Sequence, residues 1–165
     1  MIGPVAWQMR AVGSEFLETS SHRFVYTTVI RHPPGRVFDA IARRPAEIGE
    51  WYPGFDRSGT WSSADDPGAG SRRRVRMAGV TYDDTVLVWE PPSRFAFRVD
   101  RAGLPIARAV AEGYRILPHP SGSAVEWVFA IDPHRALEPL TSWFDPALAR
   151  LFARASANLE KHLSR

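Results

Sequence analysis

The chain has 165 residues, 44% of them hydrophobic, which suits one globular domain with a substantial core and argues against general disorder. Lysine and arginine number 21 against 18 aspartates and glutamates, so the net charge is only +3 and no extended basic face for nucleic acid is expected. The absence of cysteine removes a disulfide framework, a zinc–thiolate site and a thiol nucleophile.

In chain order, residues 1–21 are weakly patterned and read as an N-terminal arm, mobile over 1–10, with a short helix or packed segment from Val12 to Leu17. The N-terminus lacks the basic-then-apolar pattern of a secretory signal. No apolar run reaches the ~20 residues of a membrane span, so a cytoplasmic protein without integral membrane association is expected. Residues 22–165 read as a single domain. Its first strand, Arg23–Arg31, is rich in Phe, Val, Tyr, Thr and Ile. Pro33 or Pro34 then opens a helix whose apolar stripe is Val37, Phe38 and Ile41. Pro45 ends it, and Ala46–Glu50 adds one short turn before Trp51, Tyr52 and Phe55. The GAGS stretch at Gly68–Ser71 is a loop and not a phosphate cradle, since no GK[ST] follows and Asp65 and Asp66 would repel anions. Arg72, Arg73, Arg74 and Arg76 fall on a strand, so they divide between its two faces and suit salt bridges better than a nucleic-acid patch.

The next strands can be paired by arithmetic, because directly opposite residues of an antiparallel pair share a face. A turn at Ala78-Gly79 sets Met77 opposite Val80, Val75 opposite Tyr82 and Arg73 opposite Asp84. A turn at Glu90–Ser93 sets Val88 opposite Phe95, Val86 opposite Phe97 and Asp84 opposite Val99, with Leu87 and Trp89 on the other face. A turn at His119–Gly122 sets Ile116 opposite Val125, Tyr114 opposite Trp127, Glu112 opposite Phe129 and Val110 opposite Ile131. All three hairpins gather large apolar side chains on one face, which a one-residue slip would scatter. The chain then turns helical. Asp145 reads as an N-cap and Pro146 as the first helical residue, and Leu148, Leu151, Phe152, Ala155, Leu159 and Leu163 recur at helical spacing. Pro139 and Pro146 predict a separate or kinked segment over Arg135–Phe144.

Two carboxylates stand on the apolar face, Asp84 and Glu112. Each must be paired, protonated or near water. Arg73 is the expected partner of Asp84, and an arginine of a neighbouring strand or the last helix that of Glu112. Arg73 and Arg108 are also candidates to anchor a ligand carboxylate or phenolate. His22, His32, His119, His134 and His162 show no metal-ligand spacing; His134 reads as a surface residue, with a cavity mouth as the alternative. There is no HEXXH, no GxSxG elbow and no plausible Ser/His/Asp triad.

Strand, proline-opened helix, aromatic cluster, Gly-bearing loop, meandering strands and amphipathic helix follow in one order. The segments VIRHPPGRVFDAIA, EWYPGF, GAGSRRRVRM, VLVWEPPSRFAFRV and SAVEWVFAI carry it. That order, over about residues 22–164, resembles the START-like (SRPBCC, helix-grip) superfamily, and within it the polyketide cyclase/dehydrase and lipid transport branch. The resemblance implies an α+β fold: an antiparallel sheet of about six or seven strands wrapped around a long C-terminal helix, with two short helices after the first strand. It also implies a cavity between sheet and helix for an apolar or aromatic small molecule. No metal is expected from the histidine spacing, and neither a binding nor a cyclase role requires a cofactor.

Three functions follow. The first is binding or transport of a hydrophobic, lipid- or polyketide-like molecule. Its expected contacts are Trp51, Tyr82, Asp84, Phe97, Glu112, Tyr114, Trp127, Phe129, Phe144 and Phe152, with Trp51 and residues 135–145 shaping the entrance. The second is a cofactor-independent polyketide cyclase, aromatase or dehydratase in which Glu112 or Asp84 moves a proton. The third is a protein-interaction domain with a filled core.

Overall fold

A computed structural model of the chain describes residues 6–62 and 66–165. Residues 1–5 of the arm and Asp65 lie outside the described residues. The strands are β1 (Trp7–Gln8), β2 (His22–Ile30), β3 (Thr60–Trp61), β4 (Arg72–Met77), β5 (Val80–Glu90), β6 (Arg94–Ala102), β7 (Ala107–His119) and β8 (Gly122–Pro133). The helices are α1 (Phe16–Thr19), α2 (Pro34–Phe38), α3 (Ile48–Trp51) and α4 (Phe144–Leu163). The described strands make one antiparallel sheet in the order β2-β8-β7-β6-β5-β4-β3, with β1 added along β6. Six strands are long, and β1 and β3 contribute two residues each. The sheet wraps around α4, which packs on β2 and α3, in the helix-grip arrangement. Among the described residues no helix is long and apolar enough to cross a membrane.

The expected register holds along β4–β5, with Met77 opposite Val80, Val75 opposite Tyr82 and Arg73 opposite Asp84. It also holds along β7–β8 from Val110–Ile131 to Ile116–Val125. The first of these hairpins turns on Ala78 (φ 50°) and Gly79 (φ 81°), the double left-handed geometry that matches strand twist. The β5–β6 hairpin departs from the arithmetic. Val86 faces Phe97 and Asp84 faces Val99, but Val88 then meets Ala96 and Trp89 meets Phe95. Leu87 is an extra residue, a β-bulge, and it reverses the side on which Trp89 emerges. Trp89 therefore leaves the outer face assigned by strict alternation. It stands edge-on to Phe38 (centroids 5.3 Å apart) and Phe95 (5.8 Å) in the core.

Pro33 is extended and Pro34 begins α2, as a first-turn proline should. The helix runs on through a π-helical turn, Asp39–Arg43, and Val37, Phe38 and Ile41 are all buried. At the C-terminal end Phe152, Ala155, Leu159 and Leu163 form the buried stripe of α4. Each fully buried Leu or Phe contributes roughly 1.5–3 kcal/mol. Asp145 is not the cap expected from the sequence. A 3₁₀ segment, Arg135–Trp143, leads straight into Phe144, so the first turn of α4 has helical residues ahead of it and no side-chain cap. Asp145 instead accepts the Tyr26 hydroxyl proton on Oδ1 (2.6 Å). His134 caps the 3₁₀ segment by accepting from the Ala136 N–H, and its ring meets Trp7 edge-on at 6.1 Å. The stretch after residue 5 is held to the sheet: Trp7 donates its indole N–H to the Ala107 carbonyl (3.1 Å), and Met9 is buried.

Candidate functional site

A cavity of about 230 Å³ lies between the inner face of the sheet and α4. Strand alternation builds its walls. Arg73, Val75 and Met77 come from β4, Tyr82 and Asp84 from β5, and Phe97 and Val99 from β6. Val110 and Glu112 come from β7, and Trp127 and Phe129 from β8, every set at a spacing of two. Leu148 and Leu151 of α4 face these strands, and Tyr52 and Phe55 enter from the segment after α3. Most of the wall is apolar, and the ionisable groups come together in one electrostatically coupled cluster.

Within that cluster Arg73 Nε donates to Asp84 Oδ2 at 3.0 Å, with both residues buried. The Arg73 guanidinium carbon lies 4.1 Å from the Phe97 ring centroid and 5.3 Å from that of Phe95, so aromatic faces cover the cation. Arg73 Nη1 and Asp84 Oδ1 have no hydrogen-bond partner. Glu112 Oε2 accepts from Trp127 Nε1 at 3.0 Å. The arginine partner expected for Glu112 is thus replaced by an indole, because Arg73 is already engaged by the carboxylate directly across from it. Glu112 is half-buried and borders the cavity and one small void beside it. Desolvation dominates and raises its pKa from 4.5 to about 7. Trp127 and Arg73 pull the other way, and the charge of Asp84 adds to the rise. Burial likewise raises Asp84, to about 6, against the attraction of Arg73. Burial chiefly holds the Tyr52 and Tyr114 hydroxyls well above the usual phenol range; the neighbouring Tyr114 and then the Glu112 charge add to the rise of Tyr52, and the Glu112 charge to that of Tyr114.

The cavity brings together Tyr82, Asp84, Phe97, Glu112, Trp127 and Phe129 of the residues expected from the sequence. The other four stand elsewhere. Trp51 points from α3 toward α4, is buried, and lies too deep to shape an entrance; its carbonyl accepts from Asn158 Nδ2 (3.0 Å). Tyr114 borders two small voids beside the cavity. Phe152 stacks on Trp127 (centroids 5.5 Å apart), and Phe144 packs on Phe24 (6.5 Å). Arg108 is no ligand anchor, since it sits outside the cavity and pairs with Asp132 at 2.7 Å. Tyr52 and Met9 were not anticipated as cavity residues. Tyr52 follows the end of α3 in extended backbone, so it and Trp51 face different ways; only the helix boundary distinguishes them in the sequence. Met9 carries no local signal. Among the described residues no cluster of three or more His, Asp or Glu side chains is placed to hold a metal ion.

The family model described as polyketide cyclase/dehydrase and lipid transport matches residues 21–164. Uncharacterized proteins of Mycobacterium bovis (Mb2604) and Mycobacterium tuberculosis (Rv2574) are each 30% identical over 152 residues, 92% of this chain and 90% of theirs. Protein MLL2253 of Mesorhizobium loti superposes with a TM-score of 0.62 at 17% identity, over 84% of this chain and 97% of its own. Major latex-like protein 151 of Panax ginseng does so with a TM-score of 0.67 at 10% identity, over 85% and 95%. At those identities the two solved structures speak to the fold alone.

Proposed function

The chain belongs to the polyketide cyclase/dehydrase and lipid transport family, and on that premise we propose that it binds a small hydrophobic molecule in the cavity between sheet and α4. One observation carries the reading: a cavity of about 230 Å³ with an apolar wall and its charged groups gathered in one cluster. Such a site draws affinity from sheltering apolar surface, at roughly 25 cal/mol per Å² before ordering costs, and orientation from the few polar groups. The volume exceeds the ~150 Å³ that admits benzene in an engineered apolar cavity. It suits one or two fused rings, or a short acyl chain, and is small for a two-chain lipid. A filled-core interaction domain has no use for such a space. Native mass spectrometry of freshly purified protein tests the reading: a co-purified small molecule, or one added and retained, is expected. Failure of every apolar probe of one or two rings to bind would refute it.

One observation favours a catalytic reading beside it. Glu112 borders the cavity with a pKa near 7, where a carboxyl group can both take up and release a proton. A cyclase or dehydratase of a polyketide-like chain would use it to remove a proton next to a carbonyl and return it to a departing hydroxyl. Loss of water from a model β-hydroxyacyl thioester that disappears in Glu112→Gln would support this reading.

A further inference from the structure

Resting on the binding reading above, we infer that the cavity selects a neutral ligand head that donates a hydrogen bond, such as a hydroxyl, and rejects a carboxylate. Arg73 is the one cation among the cavity residues, and its charge is already matched. Asp84 neutralises it at 3.0 Å, and the rings of Phe95 and Phe97 cover it. Its free Nη1 is sealed, with the whole residue only 3% exposed. The charges do not balance, since two carboxylates, Asp84 and Glu112, face one guanidinium. Glu112 uses one oxygen on the Trp127 indole; the other receives nothing from the chain and belongs to a residue open to the cavity. Asp84 Oδ1 also has no partner, but it is as sealed as Arg73 Nη1, so it contributes charge and not a contact. The Tyr52 and Tyr114 hydroxyls, like any phenol, can each donate and accept, so they add no cation and no fixed acceptor. Tyr82 OH can both donate and accept, so it does not change the balance.

A carboxylate head brought here would face Glu112 and Asp84 with no uncommitted cation, in a setting where charge is poorly screened. A hydroxyl instead supplies the donor that Glu112 lacks, and a hydrogen bond to a charged acceptor is stronger than one between neutral groups. The chain's own chemistry also says how to invert the preference. In Glu112→Gln, the amide oxygen must stay on Trp127 Nε1–H, since that indole can only donate. The amide nitrogen then presents N–H to the cavity, and a donor replaces the acceptor.

The test uses 2-naphthol, 2-naphthoate and 2-methylnaphthalene, measured by equilibrium dialysis near pH 8, where Glu112 is mostly ionised. The wild-type protein is expected to hold 2-naphthol at least about tenfold more tightly than 2-methylnaphthalene, and more tightly still than 2-naphthoate. Glu112→Gln is expected to lower the naphthol-to-naphthoate ratio by at least about tenfold. If 2-naphthol and 2-methylnaphthalene bind wild-type protein equally, water serves Glu112 as well as a ligand does, and the inference fails while the binding reading stands. Tighter binding of 2-naphthoate than 2-naphthol overturns it too. If none of the three binds, the binding reading itself falls.

Discussion

Replacing Glu112 with glutamine should change how stability depends on pH, and in a definite direction. Folding raises the Glu112 pKa from 4.5 to about 7, chiefly by desolvation. Below about pH 4.5 the group is protonated in both the folded and unfolded chain and contributes nothing. Between 4.5 and 7 the unfolded chain releases its proton while the folded chain keeps it, so stability falls as pH rises; above 7 the loss is complete. A shift of about 2.5 pKa units at ~1.4 kcal/mol each gives a loss of roughly 3 kcal/mol, a large share of the 5–15 kcal/mol typical of a domain. Glutamine has the same shape, keeps an oxygen for Trp127 Nε1 and carries no charge. Asp84 titrates in the same direction, but it is present in both proteins and largely cancels in the difference. Urea denaturation followed by far-ultraviolet circular dichroism at intervals from about pH 4.5 to 8.5 should show the variant's advantage growing by roughly 3 kcal/mol. Stability curves that stay parallel across that range would show that Glu112 does not titrate where its burial places it, and the desolvation account would be wrong.

Three further outcomes are expected. Arg73→Met strands a buried Asp84 charge and should cost about 3–5 kcal/mol in urea denaturation. Arg73→Met combined with Asp84→Leu should recover most of that, since an apolar pair of similar volume needs no ion partner; a double variant as unstable as the single one would contradict this. Ala78→Asn should raise stability by roughly 1 kcal/mol, because residue 78 sits at φ 50°, where asparagine is tolerated and alanine is strained. Thermal denaturation checks it, and an unchanged or lower midpoint would count against that account of the turn.

The fold was readable because its hairpins are short-range and their apolar residues recur with period two. Val75, Tyr82, Phe97, Trp127 and Phe129 reach the same cavity by that rule alone. The rule failed where the chain inserts an extra residue. Nothing in the stretch TVLVWEPPS marks Leu87 as the bulge, so Trp89 was placed on the wrong face. A bulge is decided by the fit between strands and not by either strand's composition. The site was legible strand by strand and obscure at the elements that close it. The Trp51–Tyr52 step turns on where a four-residue helix ends. Met9 reaches the cavity through pairing of β1 with β6, a contact between residues far apart in sequence.

Glu112 is the residue for which structural need and chemical use can be separated. A need to satisfy the Trp127 indole would be met as well by glutamine, without the loss of stability that ionisation brings near neutral pH. Asp84 differs, because Arg73 sits across from it and would itself be stranded by its removal. The Arg73–Asp84 pair thus accounts for its own presence as a closed unit of the core, whereas Glu112 remains an expense that packing does not explain. Its free oxygen, the cavity it borders and the apolar wall around it are what a ligand head would use. That asymmetry is why the binding and catalytic readings both place Glu112 at their centre and leave Asp84 to its pairing with Arg73.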